Sequence, residues 1–146
     1  MRIWSWLAGL EVVLIVAACH PRREHADTSE ACPKGMRVAQ RWETAELVGF
    51  QLRGVDPERM SSFAFVNSEY ATIVDPMVAL RWSIDKDGIL SLRGDFGDDK
   101  ISYTLRKVCD GGGSVMAKTD LVAESKGKAI VERKGELRKF AKRRLP

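Results

Sequence analysis

From Thr28 to the C-terminus the chain contains no histidine, because its two, His20 and His25, both come earlier. That absence excludes Ser-His-Asp and Cys-His catalysis, and histidine-ligated zinc, from any domain built there. Cysteine is also scarce, three in 146 residues, which excludes a disulfide-dense scaffold. Five prolines and twelve glycines without a repeat exclude a collagen-like chain. A composition of 45% hydrophobic and 30% charged residues excludes a polytopic membrane protein built of apolar helices. What is present is ordinary, with length for one domain. Motifs for other chemistry are also wanting. Gly111-Gly112-Gly113 has no Lys-Ser/Thr behind it to make a phosphate loop. Asp85-Lys86-Asp87-Gly88 partly matches a calcium loop, but Gly94 falls where the bidentate glutamate belongs. Nothing singles out Glu43 and Glu46 as a catalytic pair. The expectation is a non-enzymatic protein without metal or cofactor.

The first segment is not part of the fold. Arg2 precedes sixteen residues, Ile3 to Ala18, that are apolar apart from Ser5, Gly9 and Glu11. A run this short behind a positive start fits a signal-peptide core better than a membrane span. It ends in Val16-Ala17-Ala18-Cys19. This resembles the lipobox of bacterial lipoproteins. The resemblance implies diacylglyceryl transfer to the Cys19 thiol, cleavage before Cys19 and acylation of the new amino terminus. His20, in place of an aspartate, points by similarity to enterobacterial sorting rules to the outer membrane. An uncleaved signal anchor is the other reading of these residues. Glu11 inside the run and Arg22 and Arg23 just after it keep that alternative open. Both readings tether the chain to a membrane, in an envelope space. If Cys19 carries lipid, Cys32 and Cys109 remain as an even pair that an oxidising periplasm allows to join; two unrelated thiols are the alternative.

His20 to Ala31 is polar and aperiodic, a flexible spacer. From about Arg37 the hydrophobic period becomes two. Val78, Leu80, Trp82 and Ile84 alternate with polar or small residues, Asp85 to Gly88 supplies a turn, and Leu90 and Leu92 resume. Ile101, Tyr103 and Leu105 form another strand, and the glycine run turns into Val115–Thr119. Val48–Leu52, Met60–Val66, Tyr70–Val74 and Ala129–Glu132 complete seven or eight strands, so the fold class is all-β, a small antiparallel sandwich or barrel. The expected organisation is a signal peptide over 1–18, a tether over 19–34, a β-domain over 35–131 and a basic tail over 132–146.

Charge is unevenly spread. Residues 27–125 carry 12 basic and 16 acidic side chains, while 126–146 carry nine basic and two acidic. Leu137, Phe140, Ala141 and Leu145 recur at helical spacing, so the tail is predicted to form a short basic amphipathic helix. Its Arg133, Lys134, Arg138, Lys139, Lys142, Arg143 and Arg144 are the candidate anion-binding residues, with Leu137 and Phe140 as apolar anchors. The expected partners are the membrane itself and an anionic lipid, lipopolysaccharide or envelope protein. Nucleic acid is not expected outside the cytoplasm.

Arg41-Trp42-Glu43 resembles the opening Gly-x-Trp of lipocalin-like barrels, with Gln40 at the glycine position. That resemblance implies an alternative function, carriage of a small apolar ligand in a cavity lined by Phe63, Phe65 and Trp82. Inhibition of an envelope or cell-wall enzyme also fits the compartment and size. The leading expectation is a lipid-anchored envelope protein whose β-domain is a binding or structural module.

Overall fold

The computed structural model describes residues 31–55, 61–74 and 77–146, with the side chains of 131–138 excepted. The signal peptide, Cys19 and most of the tether lie outside these residues. The elements are β1 (Arg37–Val38), α1 (Thr44–Leu47), β2 (Phe50–Gly54), β3 (Phe63–Phe65), β4 (Tyr70–Val74), β5 (Met77–Ile84), β6 (Leu90–Phe96), β7 (Asp99–Gly111), β8 (Ser114–Ser125) and β9 (Lys128–Arg144). Each strand from β2 to β9 pairs antiparallel with the next, and β9 pairs with β2. The result is a closed, eight-stranded up-and-down barrel, with β1 laid against β7 outside the ring.

Period-two patterning explains the strands. On β5, Leu80 and Trp82 are buried while Arg81 and Ser83 are exposed. The β5–β6 turn is held by Asp85, whose Oδ1 accepts the Asp87 and Ile89 backbone N–H groups at 2.9 Å. Inward residues from all eight strands form one apolar cluster, including Leu52, Phe65, Ile73, Leu92, Leu105, Val115 and Phe140. An eight-strand barrel has an interior just wide enough for side chains of this size.

The C-terminal segment departs from expectation. Residues 132–144 are not a helical tail but belong to β9, so the β-domain runs on past 131 to Arg144. Phe140 is fully buried in the core and is no surface anchor. The physical reason is closure. Without β9, facing edges of β2 and β8 would be left with unpaired backbone N–H and C=O groups. As a strand, β9 joins both, with Leu52 opposite Lys142 and Val115 opposite Phe140. Burial of the Phe140 ring adds about 2–3 kcal/mol. A short isolated helix offers no comparable gain. The one helix among the described residues is instead the single turn α1.

One end of the barrel is plugged by residues 36–49. Trp42 is buried there, its Nε1 donating to the Leu105 carbonyl at 2.9 Å, and Leu47 follows it inward. Residues 35–41 pack too closely to the adjoining turns for side chains to intervene. A Cβ on Gly88 would sit 2.7 Å from the Arg41 Cβ, and one on Gly111 2.5 Å from the Gly35 carbonyl oxygen. Cys32 and Cys109 are joined, fastening this segment to β7.

Candidate functional site

The plugged end carries a compact group of charges. Lys107 follows Tyr103 and Leu105 in the inward period of β7, so its side chain enters the barrel mouth and is 6% exposed. Its Nζ donates to both Glu46 carboxylate oxygens, at 2.8 and 2.7 Å, and lies 2.9 Å from Asp110 Oδ2. It also stands 5.3 Å from the Trp42 ring centroid. Lys142 reaches the same carboxylates, at 3.3 Å from Glu46 and 3.0 Å from Asp110. Burial pushes the Asp110 carboxyl up, but hydrogen bonds and charge from Lys107 and Lys142 outweigh it and hold the group below the ordinary carboxylate range. Glu46 also accepts the Glu43 backbone N–H, closing a capping box on α1. Two cations therefore meet two anions, with each carboxylate engaged. This arrangement locks the plug onto β7 and β9.

Of the seven expected anion-binding residues, the structure gathers only some. A strand sends neighbours to opposite faces, so the run is divided. Lys142 turns to the ionic cluster, whereas Lys139 and Arg143 are exposed on the outer face and Arg144 lies at the strand end. The side chains of Arg133, Lys134 and Arg138 lie outside the described set. Two residues that sequence reading did not name join the outer face. They are Arg53 on β2 and Lys118 on β8, next to the inward Leu52 and Ala117. Registers place Gln51 opposite Arg143 and Met116 opposite Lys139, which makes β8, β9 and β2 a continuous wall. Arg53, Lys118, Lys139 and Arg143 stand on it, and residues 50–55, 114–118 and 139–144 include no carboxylate. None of the four has an ion-pair partner among the described residues. Asp120, the next acid along β8, is already engaged.

The residues expected to line a ligand cavity are packed against one another. Phe63 meets Tyr103 edge-on at 4.9 Å, and Phe65 meets Trp82 edge-on at 5.3 Å. At the end opposite the plug, Val55, Val74, Met77, Phe96 and Ile130 are exposed beside the β2, β4–β5, β6–β7 and β8–β9 turns. Cys32 and Cys109 are brought together as expected.

The chain matches no known protein family model, no curated protein and no solved structure.

A β-barrel of this kind suits a binding or structural module.

Proposed function

We propose that this is a lipid-anchored protein of the bacterial cell envelope, carried on the outer membrane and facing the periplasm. Its barrel is a non-catalytic binding module for anionic lipid head groups. The observation that carries the reading is the wall of four cations on β8, β9 and β2 that have no ion-pair partner among the described residues. Each lysine or arginine near an anionic surface contributes about 1 kcal/mol. The Cys32–Cys109 bridge fits an oxidising compartment. Lipid on Cys19 would leave 13 residue steps to Cys32, at most about 45 Å when extended, long enough for the barrel to lie with this wall on the head groups.

Two measurements test it. Protein extracted from membranes should have the mass of residues 19–146 plus acyl chains, gaining two hydrogens on reduction; the mass of the uncleaved chain would refute the lipid anchor. For residues 20–146, which carry no acyl chain, sedimentation with phosphatidylglycerol vesicles at low salt should weaken about 30-fold in Lys139→Gln/Arg143→Gln, and phosphatidylcholine should bind neither form. Equal binding by the variant would refute the head-group reading.

Carriage of a small apolar ligand is the second reading, favoured by the closed barrel and the exposed apolar residues at the end opposite the plug. It requires fatty acid to quench tryptophan fluorescence at saturable stoichiometry. An unchanged spectrum would dismiss it.

A further inference from the structure

The opposite wall holds a different arrangement of charge. β5 lies four strands from β9 in either direction around the ring, so β4, β5 and β6 face away from the basic wall, and β7 joins them to β8. Arg81 on β5 stands directly opposite Arg93 on β6, both exposed on the outer face. Directly opposed side chains have Cβ atoms about 5 Å apart, and like charges there are destabilising. Neither guanidinium has an ion-pair partner among the described residues.

The surroundings complete a site. Arg81 lies over the Tyr70 ring, 5.6 Å from its centroid, which restricts its swing. Two residues along each strand, towards the plugged end, Ser83, Ser91 and Thr104 stand in register across β5, β6 and β7. Their hydroxyls make no hydrogen bond within the described residues. Ser102, beside Arg93, already donates to the Val122 carbonyl at 3.5 Å. Two shallow cavities of about 320 and 350 Å³ open on this face and share Ser91 and Arg93. Carboxylates border this face: Asp120 on β8 stands opposite Thr104, and Glu69, whose backbone carbonyl accepts the Trp82 backbone N–H, lies beside Arg81. Asp95 faces Lys100 across the β6–β7 ladder, and Glu124 lies on the far side.

We infer that Arg81 and Arg93 form a two-pronged site for a phosphate-class oxyanion, with the Ser83 and Ser91 hydroxyls as further donors. Two guanidinium forks on adjacent strands suit a tetrahedral anion that accepts bidentate hydrogen bonds from each. The bound anion would also remove the repulsion between the arginines. The site is separate from the basic wall, which lacks paired arginines in register, so it stands whether or not that wall meets a membrane.

The test uses the full-length protein in neutral detergent and radiolabelled inorganic phosphate in equilibrium dialysis. One phosphate should bind per chain, tenfold or more weakly in Arg93→Gln and Arg81→Gln, and unchanged in Lys139→Gln/Arg143→Gln. At ten times Kd, phosphate should raise the melting temperature of the parent protein by about 5 °C, and that of Arg93→Gln not at all. Phosphate-free Arg93→Gln should melt no lower than the parent, which separates lost binding from lost folding. Arg93→Lys, which keeps the charge without the fork, should bind with intermediate affinity. Competition by glycerol phosphate would assign the site to phosphate borne on a larger molecule, and competition by the free ion alone to phosphate itself. Binding that survives Arg93→Gln, or that chloride at equal ionic strength abolishes, would overturn the inference.

Discussion

The two faces of β9 carry the same kind of residue to opposite ends. Lys142 points towards the plug and meets Glu46 and Asp110, while Lys139 and Arg143 point outward and have no ion-pair partner among the described residues. One face is occupied with holding the barrel closed, and the other is free to meet a partner. Net charge alone, +4 for the chain, cannot make that distinction. Alternation along a paired strand does.

Substitutions should separate the two faces, beginning with the largest effect. Phe140→Ala leaves a cavity at the closure point and should cost about 4 kcal/mol, read from the denaturant midpoint. A loss below 1 kcal/mol would mean that β9 does not close the barrel. Lys107→Met leaves Glu46 and Asp110 with only Lys142 and should cost about 3 kcal/mol. Its effect should be far smaller in a Glu46→Gln/Asp110→Asn background, where no carboxylate is stranded.

The acid limb is the next test. The folded-state pKa of Asp110 lies below that of the unfolded chain, so its contribution is fully present above about pH 4. It is lost as pH falls from there through the lowered folded value. Stability of Asp110→Asn should therefore fall less steeply below pH 4 than that of the parent. Parallel curves would place the acid sensitivity elsewhere. The outward face should show the smallest effect on folding. Lys139→Gln/Arg143→Gln should shift stability by less than about 0.5 kcal/mol, and a larger loss would mean that the wall, too, is structural.

Much of the fold was legible because its strands advertise themselves. β5 and β6, with Asp85–Gly88 between them, show alternation and turn chemistry within a few residues, and β4 has the bounds that the period gives. β9 was not legible in the same way. Leu137, Phe140, Ala141 and Leu145 satisfy a helical period locally, and what decides against it is the exposed edge of β2, far upstream in the chain. The ionic cluster left one sign, because Lys107 continues the inward series of Tyr103 and Leu105. Its partner Glu46 sits on a single helical turn too short to show a period. The Arg81–Arg93 pair depends wholly on register, which no single segment reveals.

The bridge between Cys32 and Cys109 spans 77 residues of sequence and contributes about 4.5 kcal/mol in the chain-entropy account. It also alters what a protease can achieve. A single cut anywhere from residue 33 to 108 divides the chain into two pieces that the sulfurs keep joined. The stretch from Pro33 to Arg41, largely exposed near the plugged end, falls inside that interval. If Cys19 holds lipid, a nick there would not set the barrel adrift. Release would require a reductant as well, or a cut upstream of Cys32.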